Sequence, residues 1–363
     1  MTTTAAATAA PAGQATAFGI KDALARLGDR KDLTADELSA VMGDIMDGQA
    51  TPAQIGGLLT ALRLKGETVD EIVGAARAMR ARMLRLPTGA VVAGAVDTCG
   101  TGGDGSGSVN VSTLAAFMVA AAGVPVAKHG NRALSSRSGS HDVIEALGVN
   151  PAPEPALAAR CLTEAGLAFL FAPLYHAATK AVGGPRRELG FRTIFNVLGP
   201  LTNPAGAPFA VNGVFARERC EALAQAHQRL GTQRAWVVHG AGNLDELAPR
   251  GTTFVAELRD GAVRTFEVTP ATFGLAESDP AGLRGGDPQT NARILEEALA
   301  GAKGPVRDVA VMTAAAALYV AGAVDELPAA AQRAAATLDD GSARGVLERL
   351  RVLAPHHAAS PSS

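Results

Sequence analysis

Between residues 18 and 87 the apolar side chains fall at helical spacing. Leu38, Val41, Met42 and Ile45 share one face, and so do Ile55, Leu58, Leu59 and Leu62, the stripe that an amphipathic helix turns toward a core. Three helix starts carry a reciprocal cap, Thr34 with Glu37, Thr51 with Gln54 and Thr68 with Glu71, in which each side chain satisfies a backbone N–H of the other residue. Pro52 stands at the first helical position of its segment, where a missing N–H costs nothing. No strand pattern interrupts the run, so residues 17–90 are predicted to form a small helical domain.

From Val91 the texture changes. The run VVAGAVDT is β-branched and short. A glycine-rich loop follows, and the apolar LAAFMVAAAG closes at Gly123 before a second strand, VPVAKHG. Strand, loop, helix and strand in that order make a βαβ unit with a parallel pair. Farther on come a strand AWVVHG, a hairpin of TFVAEL and VRTFEV joined around Asp260-Gly261, and helices starting at Asp287-Pro288 and at Pro305. The predicted fold class is α/β. A small all-helical domain accompanies a large domain, residues 91–185 and 206–352, whose central, mostly parallel, mixed sheet is flanked by helices. No internal repeat is evident.

Apolar residues make up 47% of the 363-residue chain and charged residues 19%, so it has the length and composition of a two-domain globular protein. A net charge of −2 argues against a dedicated nucleic-acid partner. The longest apolar run, VAVMTAAAALYVAGAV, is Ala-rich and too short to cross a bilayer. It reads as a buried helix, and no membrane partner is expected. Cys99, Cys161 and Cys220 stand far apart without metal spacing, which fits reduced thiols in a cytoplasm. Residues 1–16 lack the basic start and Leu-rich centre of a signal peptide. They read as a disordered tail, as do residues 353–363 with their solvated His356 and His357.

Candidate chemistry begins with VDTCGTGGDGSGSVNVST, residues 96–113, which contains G-x-G-x-x-G at Gly100, Gly102 and Gly105. A dinucleotide turn would open a helix at once and place an acidic residue about 20 positions on, at the end of the next strand. Here the loop runs on through Gly107, and the second strand ends in Lys128 and His129, so both tests fail. The G-K-[ST] of a Walker loop is absent as well. What remains is a loop rich in free N–H groups that leads into a helix with Ser112 and Thr113 in its first turn, a combination suited to phosphate.

The next strand ends in another polar loop, KHGNRALSSRSGSHD. Lys128, Arg132 and Arg137 supply cations, and Ser135, Ser136, Ser138 and Ser140 supply hydroxyls, with Ser140 also able to cap the following helix. Two anion-seeking loops at the carboxyl ends of neighbouring strands mark a crevice. Beyond AWVVHG stand Asp245 and Glu246. Such carboxylates hold Mg²⁺ for a phosphate, although in another setting the pair is an ordinary acidic loop. In LYHAATKAVGGPRRELGFRTIFNVLGPLTNP, Arg186, Arg187 and Arg192 lie near the start of a predicted helix, close to apolar residues. An arginine in an apolar wall clamps a carboxylate; one on the surface would pair with Glu188.

Together these stretches closely resemble the anthranilate phosphoribosyltransferase family of the tryptophan pathway, over about residues 18–350. The motifs are G-T-G-G-D-G (100–105), N-V-S-T (110–113), K-H-G-N-R-A-L-S-S (128–136), R-R-E-L-G (186–190), F-N-V-L-G-P-L-T-N-P (195–204) and L-D-E-L (244–247). The resemblance implies transfer of phosphoribose from phosphoribosyl pyrophosphate (PRPP) to the amine of anthranilate. It also implies two Mg²⁺ per subunit, a homodimer, and a helical domain that takes in roughly residues 186–205.

Carried over position by position, the resemblance implies that Gly100, Gly103, Asp104, Ser108, Asn110, Val111, Ser112, Thr113, Lys128, His129, Gly130, Asn131, Arg132, Ala133, Leu134, Ser135, Ser136 and Ser140 line PRPP. Gly100, Asn131 and Arg186 are implied to contact anthranilate. Ser112 and Glu246 are implied to hold one Mg²⁺, and Asp245 and Glu246 the second. No acid or base is expected, because an aromatic amine is already unprotonated near neutral pH; His129 and Asn131 are expected to position substrate. The chain departs from the family at Ser108, where Thr is common, at Ala177 and Thr179 within His176–Lys180, and at Gly183-Gly184-Pro185. The last two changes bear on the anthranilate channel. Two other readings stay open. A pyrimidine-nucleoside phosphorylase shares the implied fold but should not need the Asp245-Glu246 pair, and a nucleic-acid-binding relative would call for a basic surface.

Overall fold

The computed structural model of the chain describes residues 18–87, 89–133 and 137–356. The expected N-terminal tail, residues 357–363, and Leu134, Ser135 and Ser136 therefore lie outside the described residues. Four helices come first: α1 (Ile20–Gly28), α2 (Ala35–Met46), α3 (Pro52–Lys65) and α4 (Val69–Arg82). Each of the three reciprocal caps forms; Thr34 N–H donates to Glu37 Oε2 at 2.9 Å, and Glu37 N–H to Thr34 Oγ1 at 3.2 Å. Glu71 goes further. Fully buried, it accepts the Leu33 N–H at 3.0 Å and pairs with Lys65 at 3.0 Å, so the cap of α4 also fixes the approach to α2.

The rest of the chain alternates strands and helices: β1 (Val96–Asp97), α5 (Val111–Ala121), β2 (Val126–Gly130), α6 (Ser140–Ala146), α7 (Pro155–Ala165), β3 (Leu167–Phe171), α8 (Ala172–Tyr175), α9 (Lys180–Leu189), α10 (Phe195–Leu198), β4 (Phe209–Gly213), α11 (Arg219–Arg229), β5 (Arg234–Gly240), β6 (Thr253–Arg259), β7 (Ala262–Val268), α12 (Pro288–Leu299), α13 (Pro305–Val320), α14 (Leu327–Asp339) and α15 (Ser342–Leu353). The seven strands form one sheet in the order β3-β2-β1-β4-β5-β6-β7. The first five are mutually parallel; β6 runs antiparallel to β5, and β7 antiparallel to β6. The β6–β7 hairpin turns at Asp260 and Gly261, with φ of 52° and 73°, the left-handed pair that a tight hairpin requires.

Two expectations need correction here. The run from Val91 is not a strand: residues 90–94 make a 3-10 turn, and only Val96 and Asp97 enter the sheet. They do so in its middle, with Val96 in register with Val126 on one side and Phe209 on the other. At the other end, residues 353–356 are part of the fold and not of a tail. Ala354 is buried, its carbonyl accepts the Asn150 N–H at 2.8 Å, and His356 N–H donates to Gly148 O at 3.0 Å.

One core lies between the sheet and α5, α7, α13, α14 and α15. The Ala-rich α13 is buried there along most of its length; among the described residues no helix is long and apolar enough to cross a membrane. A second core joins α1–α4 to Val182, Ile194, Val197 and Leu198 and, through Cys220, Leu223 and Ala224 of α11, to Val237 and Ala256 of the sheet. Burial of each large aliphatic side chain in it contributes roughly 1.5–3 kcal/mol. Arg80 of α4 adds a polar tie: its Nε donates to Leu201 O at 2.6 Å and its Nη1 to Leu230 O at 2.8 Å. Burial, with Arg85 nearby, lowers its pKa to about 10.

The α2–α4 crossing is closed by Gly74, where a Cβ would lie 2.3 Å from the Ala35 carbonyl oxygen. Gly74→Ala should therefore cost about 1–3 kcal/mol in chemical denaturation, by overpacking a contact with no slack. At Gly345 in α15 a Cβ would meet nothing nearer than the flexible Arg349 guanidinium at 3.6 Å. There Gly→Ala should stabilise by about 0.5–1 kcal/mol.

Candidate active site

Strand order reverses at β1, with β2 and β3 on one side and β4 and β5 on the other. Ligands of open α/β sheets bind in the crevice beyond the carboxyl ends at such a point. The loops after β1, β2 and β5 meet there around a cavity of about 640 Å³.

The loop after β1 owes its shape to Gly102, Gly103, Gly105 and Gly107, whose φ angles of 64°, 78°, 77° and 66° suit a residue without Cβ. Its ends are fixed: Thr101 N–H donates to Gly213 O at 2.8 Å, and Val109 N–H to Leu283 O at 2.8 Å. The acidic loop lies directly on the strand ends. A Cβ on Gly213 would sit 1.5 Å from Asp245 O, and one on Gly240 2.5 Å from Glu246 O. So placed, Asp245 N–H donates to Asp104 Oδ2 at 3.2 Å, and Ser112 N–H to Glu246 Oε1 at 3.3 Å.

The first turn of α5 thus faces a carboxylate of the protein itself. Val111 and Thr113, both implied to line PRPP, are wholly buried in the core and do not line the cavity. The other described residues of that set do line it, as do Arg186, Asp245 and Glu246.

Three carboxyl groups crowd this floor. Burial, and then repulsion from Asp104 and Glu246, holds the Asp245 carboxyl well above the usual carboxylate range. Burial raises Glu246 to about 7, against the pull of Lys128 and the Ser112 N–H. Lys128 is itself buried, a position that lowers its pKa, and its Nζ donates to Thr98 O at 2.7 Å and to Ser112 Oγ at 3.2 Å. Among the described residues no group of three or more His, Cys, Asp or Glu side chains is placed to hold a metal ion. The donor set fits Mg²⁺ nonetheless, because that ion takes one or two carboxylates and completes its shell with water and substrate phosphate.

The loop after β2 is closed by Asp142, whose Oδ2 accepts the N–H of Ala133 and of Gly139, each at 2.9 Å. Ser140 does not cap α6, as its sequence position allowed; Gly139 is the cap and Ser140 the first helical residue. Arg132 turns to Asp142 and Glu145, at 3.0 and 2.6 Å. His129 is buried, with its backbone N–H donating to Asp97 Oδ1 at 3.2 Å and its Nδ1 3.0 Å from Gly199 O. That contact makes Nδ1 the protonated nitrogen of a neutral ring. Burial, and then His176 at 5.1 Å between ring centroids, pushes its pKa down to about 3.

The opposite wall comes from the segment around α9. Arg186 and Arg187 sit in its last turn, not near a helix start as their sequence position suggested. Arg186 is half-buried, its guanidinium 5.2 Å from the Phe195 ring centre, and desolvation lowers its pKa. Among the described residues no carboxylate pairs with it, Glu188 included. Arg187 and Arg192 do not line the cavity. Met79, His176, Thr179, Lys180, Phe195 and Asn196 do; of these only Thr179, as a departure bearing on the anthranilate channel, was singled out on sequence grounds. His176, Phe195 and Asn196 fall inside recognisable motifs, whereas Met79 is on an ordinary apolar helix face and carried no signal.

Residues 93–344 match a family described as glycosyl transferase family, a/b domain, and residues 21–83 match its helical bundle domain. The chain is 52% identical over 330 residues to an anthranilate phosphoribosyltransferase of Rhodopseudomonas palustris, covering 91% of this chain and 97% of that one. Among solved structures it resembles the Thermus thermophilus anthranilate phosphoribosyltransferase, with a TM-score of 0.85, 43% identity, and coverage of 92% of this chain and 99% of that one. It also resembles the Saccharomyces cerevisiae enzyme in complex with PRPP and Mg, with a TM-score of 0.83, 27% identity, and coverage of 92% and 97%.

Burial also depresses His141 and His227 to about 3 and His176 to about 4. An unfolded histidine titrates near 6.5, so below that pH the unfolded chain binds protons that the folded one refuses, and stability falls as pH falls. Each of these groups should remove up to about 1.4 kcal/mol per pH unit between its two pKa values. The raised carboxyls Asp97, Asp245 and Glu246 act in the opposite sense, so the histidine contribution is read by difference. Between pH 7 and pH 5 His227→Gln should lose less stability in urea unfolding than the parent, and an equal change in both would refute the assignment.

Proposed function

The chain belongs to the anthranilate phosphoribosyltransferase family, and from that membership we infer how each wall of the cleft serves the reaction. The enzyme transfers the 5-phosphoribosyl group of PRPP to the amine of anthranilate, in tryptophan biosynthesis. In our reading PRPP is received by the loops after β1 and β2, where Asn110, Ser112, Lys128, Asn131 and the open backbone of the glycine loop present donors. Anthranilate lies against Arg186, Asn131 and Gly100. The observation that supports this most is the half-buried Arg186, without a carboxylate partner among the described residues, facing the same cavity as the acidic floor. A desolvated guanidinium fork matches the two oxygens of the anthranilate carboxylate.

The amine arrives with its lone pair free, so the protein's work is to hold it in line with the ribose carbon and to stabilise charge leaving with pyrophosphate. His129 takes no proton in this scheme. Its ring is neutral and its Nδ1–H is committed to Gly199 O, so it fixes the loop that carries Asn131. Mg²⁺, which accompanies PRPP in the yeast relative, neutralises the developing pyrophosphate charge when bound. We assign two ions per subunit: Ser112 and Glu246 would hold one, Asp245 and Glu246 the other.

The same reading divides the chain into a helical domain, residues 17–90 with roughly 186–205, and a large domain, residues 91–185 and 206–352. The core that joins α1–α4 to Ile194 and Val197 supports it. It also includes a homodimer and a cytoplasmic location, in keeping with exposed Leu64 and Leu84 on the helical part and three buried free thiols.

Product analysis with PRPP, anthranilate and Mg²⁺ tests the proposal. Pyrophosphate and phosphoribosyl-anthranilate should form in equal amounts, and Asp245→Asn with Glu246→Gln should remove most turnover. Phosphorolysis of a pyrimidine nucleoside, without transfer to anthranilate, would overturn it. Arg186→Ala should weaken anthranilate binding by roughly 30-fold to several thousand-fold, or about 2–5 kcal/mol, with PRPP affinity by calorimetry nearly unchanged.

A further inference from the structure

Arg192 was a candidate clamp in the sequence, yet it does not line the cavity. Its guanidinium stacks over the Phe215 ring, 4.3 Å from the ring centre, and its Nη1 donates to Gly103 O at 2.6 Å. Arg192 follows α9, whose last turn carries Arg186 and which ends at Gly190 in the left-handed conformation. After it, Thr193 N–H donates to Asn196 Oδ1 at 3.0 Å, so the segment from Arg186 to Asn196 is one short, turned piece of chain.

The loop it touches is rich in glycine, with Ser106 N–H and Oγ–H donating to Asp104 Oδ1 at 3.0 and 2.9 Å. Between Gly102 and Gly107 the backbone adopts four left-handed angles, and glycine in such a loop has the most freedom to lose. One side of the loop is tied to the acidic floor by Asp245 N–H on Asp104 Oδ2. Among the described residues, the bond from Arg192 is the only hydrogen bond between residues 100–107 and the α9–α10 segment. Stacking on Phe215 holds the guanidinium in place before it donates, a role for which a planar fork suits better than an ammonium. Phe215 N–H in turn donates to Thr101 Oγ1 at 3.3 Å, so the stack and the loop share an anchor.

We propose that Arg192 is a positioning residue that fixes the PRPP loop through the Gly103 carbonyl and couples it to the segment bearing the anthranilate clamp. The proposal rests on the reading of the cleft given above. Its consequence is directional. Without the tie, the loop meets PRPP in a wider range of conformations, whereas Arg186 and the wall around it keep their own supports. A misplacement of about 1 Å in a positioning element costs on the order of 100-fold in rate.

The test is steady-state kinetics of Arg192→Ala and Arg192→Lys against the parent, with each substrate varied at saturating Mg²⁺, beside thermal unfolding. For Arg192→Ala we expect kcat/KM for PRPP to fall roughly 10- to 100-fold, the Kd of anthranilate alone to stay within about twofold, and the melting temperature to hold. Arg192→Lys can still reach the carbonyl but stacks less well, and should recover part of the loss. An equal fall for both substrates, Lys no better than Ala, a lowered melting temperature, or no change at all would each overturn the proposal. If the parent itself fails to convert PRPP and anthranilate, the reading of the cleft fails instead, which separates the two outcomes.

Discussion

Asp97 ends the central strand with a carboxylate that water does not reach. It accepts the His129 N–H at 3.2 Å and an Asn203 Nδ2–H at 2.7 Å, and Asn203 also donates to Ala127 O at 2.8 Å. The start of the glycine loop, the end of β2 and the turn after α10 therefore meet at one buried group. Burial raises its pKa to about 6, while Asn203 and Lys128 pull the other way. A carboxylate in such surroundings is tolerable only with donors on every side, and those donors belong to the segments that wall the cleft. The neighbouring Asn212 extends the arrangement: it donates to Cys99 O at 2.6 Å, and its Oδ1 is 2.8 Å from His227 Nε2. The loops after β1 and β2 thereby start from a polar layer beneath the cleft.

The helical part of the chain is not an appendage to this layer. Its core reaches the sheet through α11, and Arg80 satisfies two carbonyls, Leu201 in the turn after α10 and Leu230 at the end of α11 in the large domain. An arginine that binds carbonyls and not a carboxylate gives direction without a strong charge pair. It fixes where the helices lie relative to the turn after α10, and that turn carries the carbonyl that receives His129.

Local chemistry was legible in the sequence where one residue type could satisfy one need. The threonine caps, the left-handed hairpin at Asp260-Gly261, and the glycines, hydroxyls and cations of the two loops all follow from side chains acting on their own neighbourhood. What the sequence hid was set by distant partners. The run at Val91 looks like a strand, but only two of its residues fit between β2 and β4. Val111 and Thr113 stand in a motif of site residues, yet helical geometry turns them into the core. Ser140 is a natural cap whose place Gly139 takes, because Asp142 already closes the loop. The neutral state of His129 depends on burial and on His176, and the orientation of its ring on Gly199, all set by segments far away along the chain. The place of Arg192 depends on Phe215 in the same way.

The acidic loop rests on bare peptide groups, since the carbonyls of Asp245 and Glu246 occupy the volumes that side chains on Gly213 and Gly240 would fill. Those two glycines end adjacent, paired strands. If β4 were shifted by one position against β5, Val214 or Asn212 would present a side chain where Gly213 now leaves room, and the loop could not settle. The carboxylate pair thus assembles only over a correctly registered sheet. A chain with slipped strands could be compact and still lack the acidic floor of the cleft.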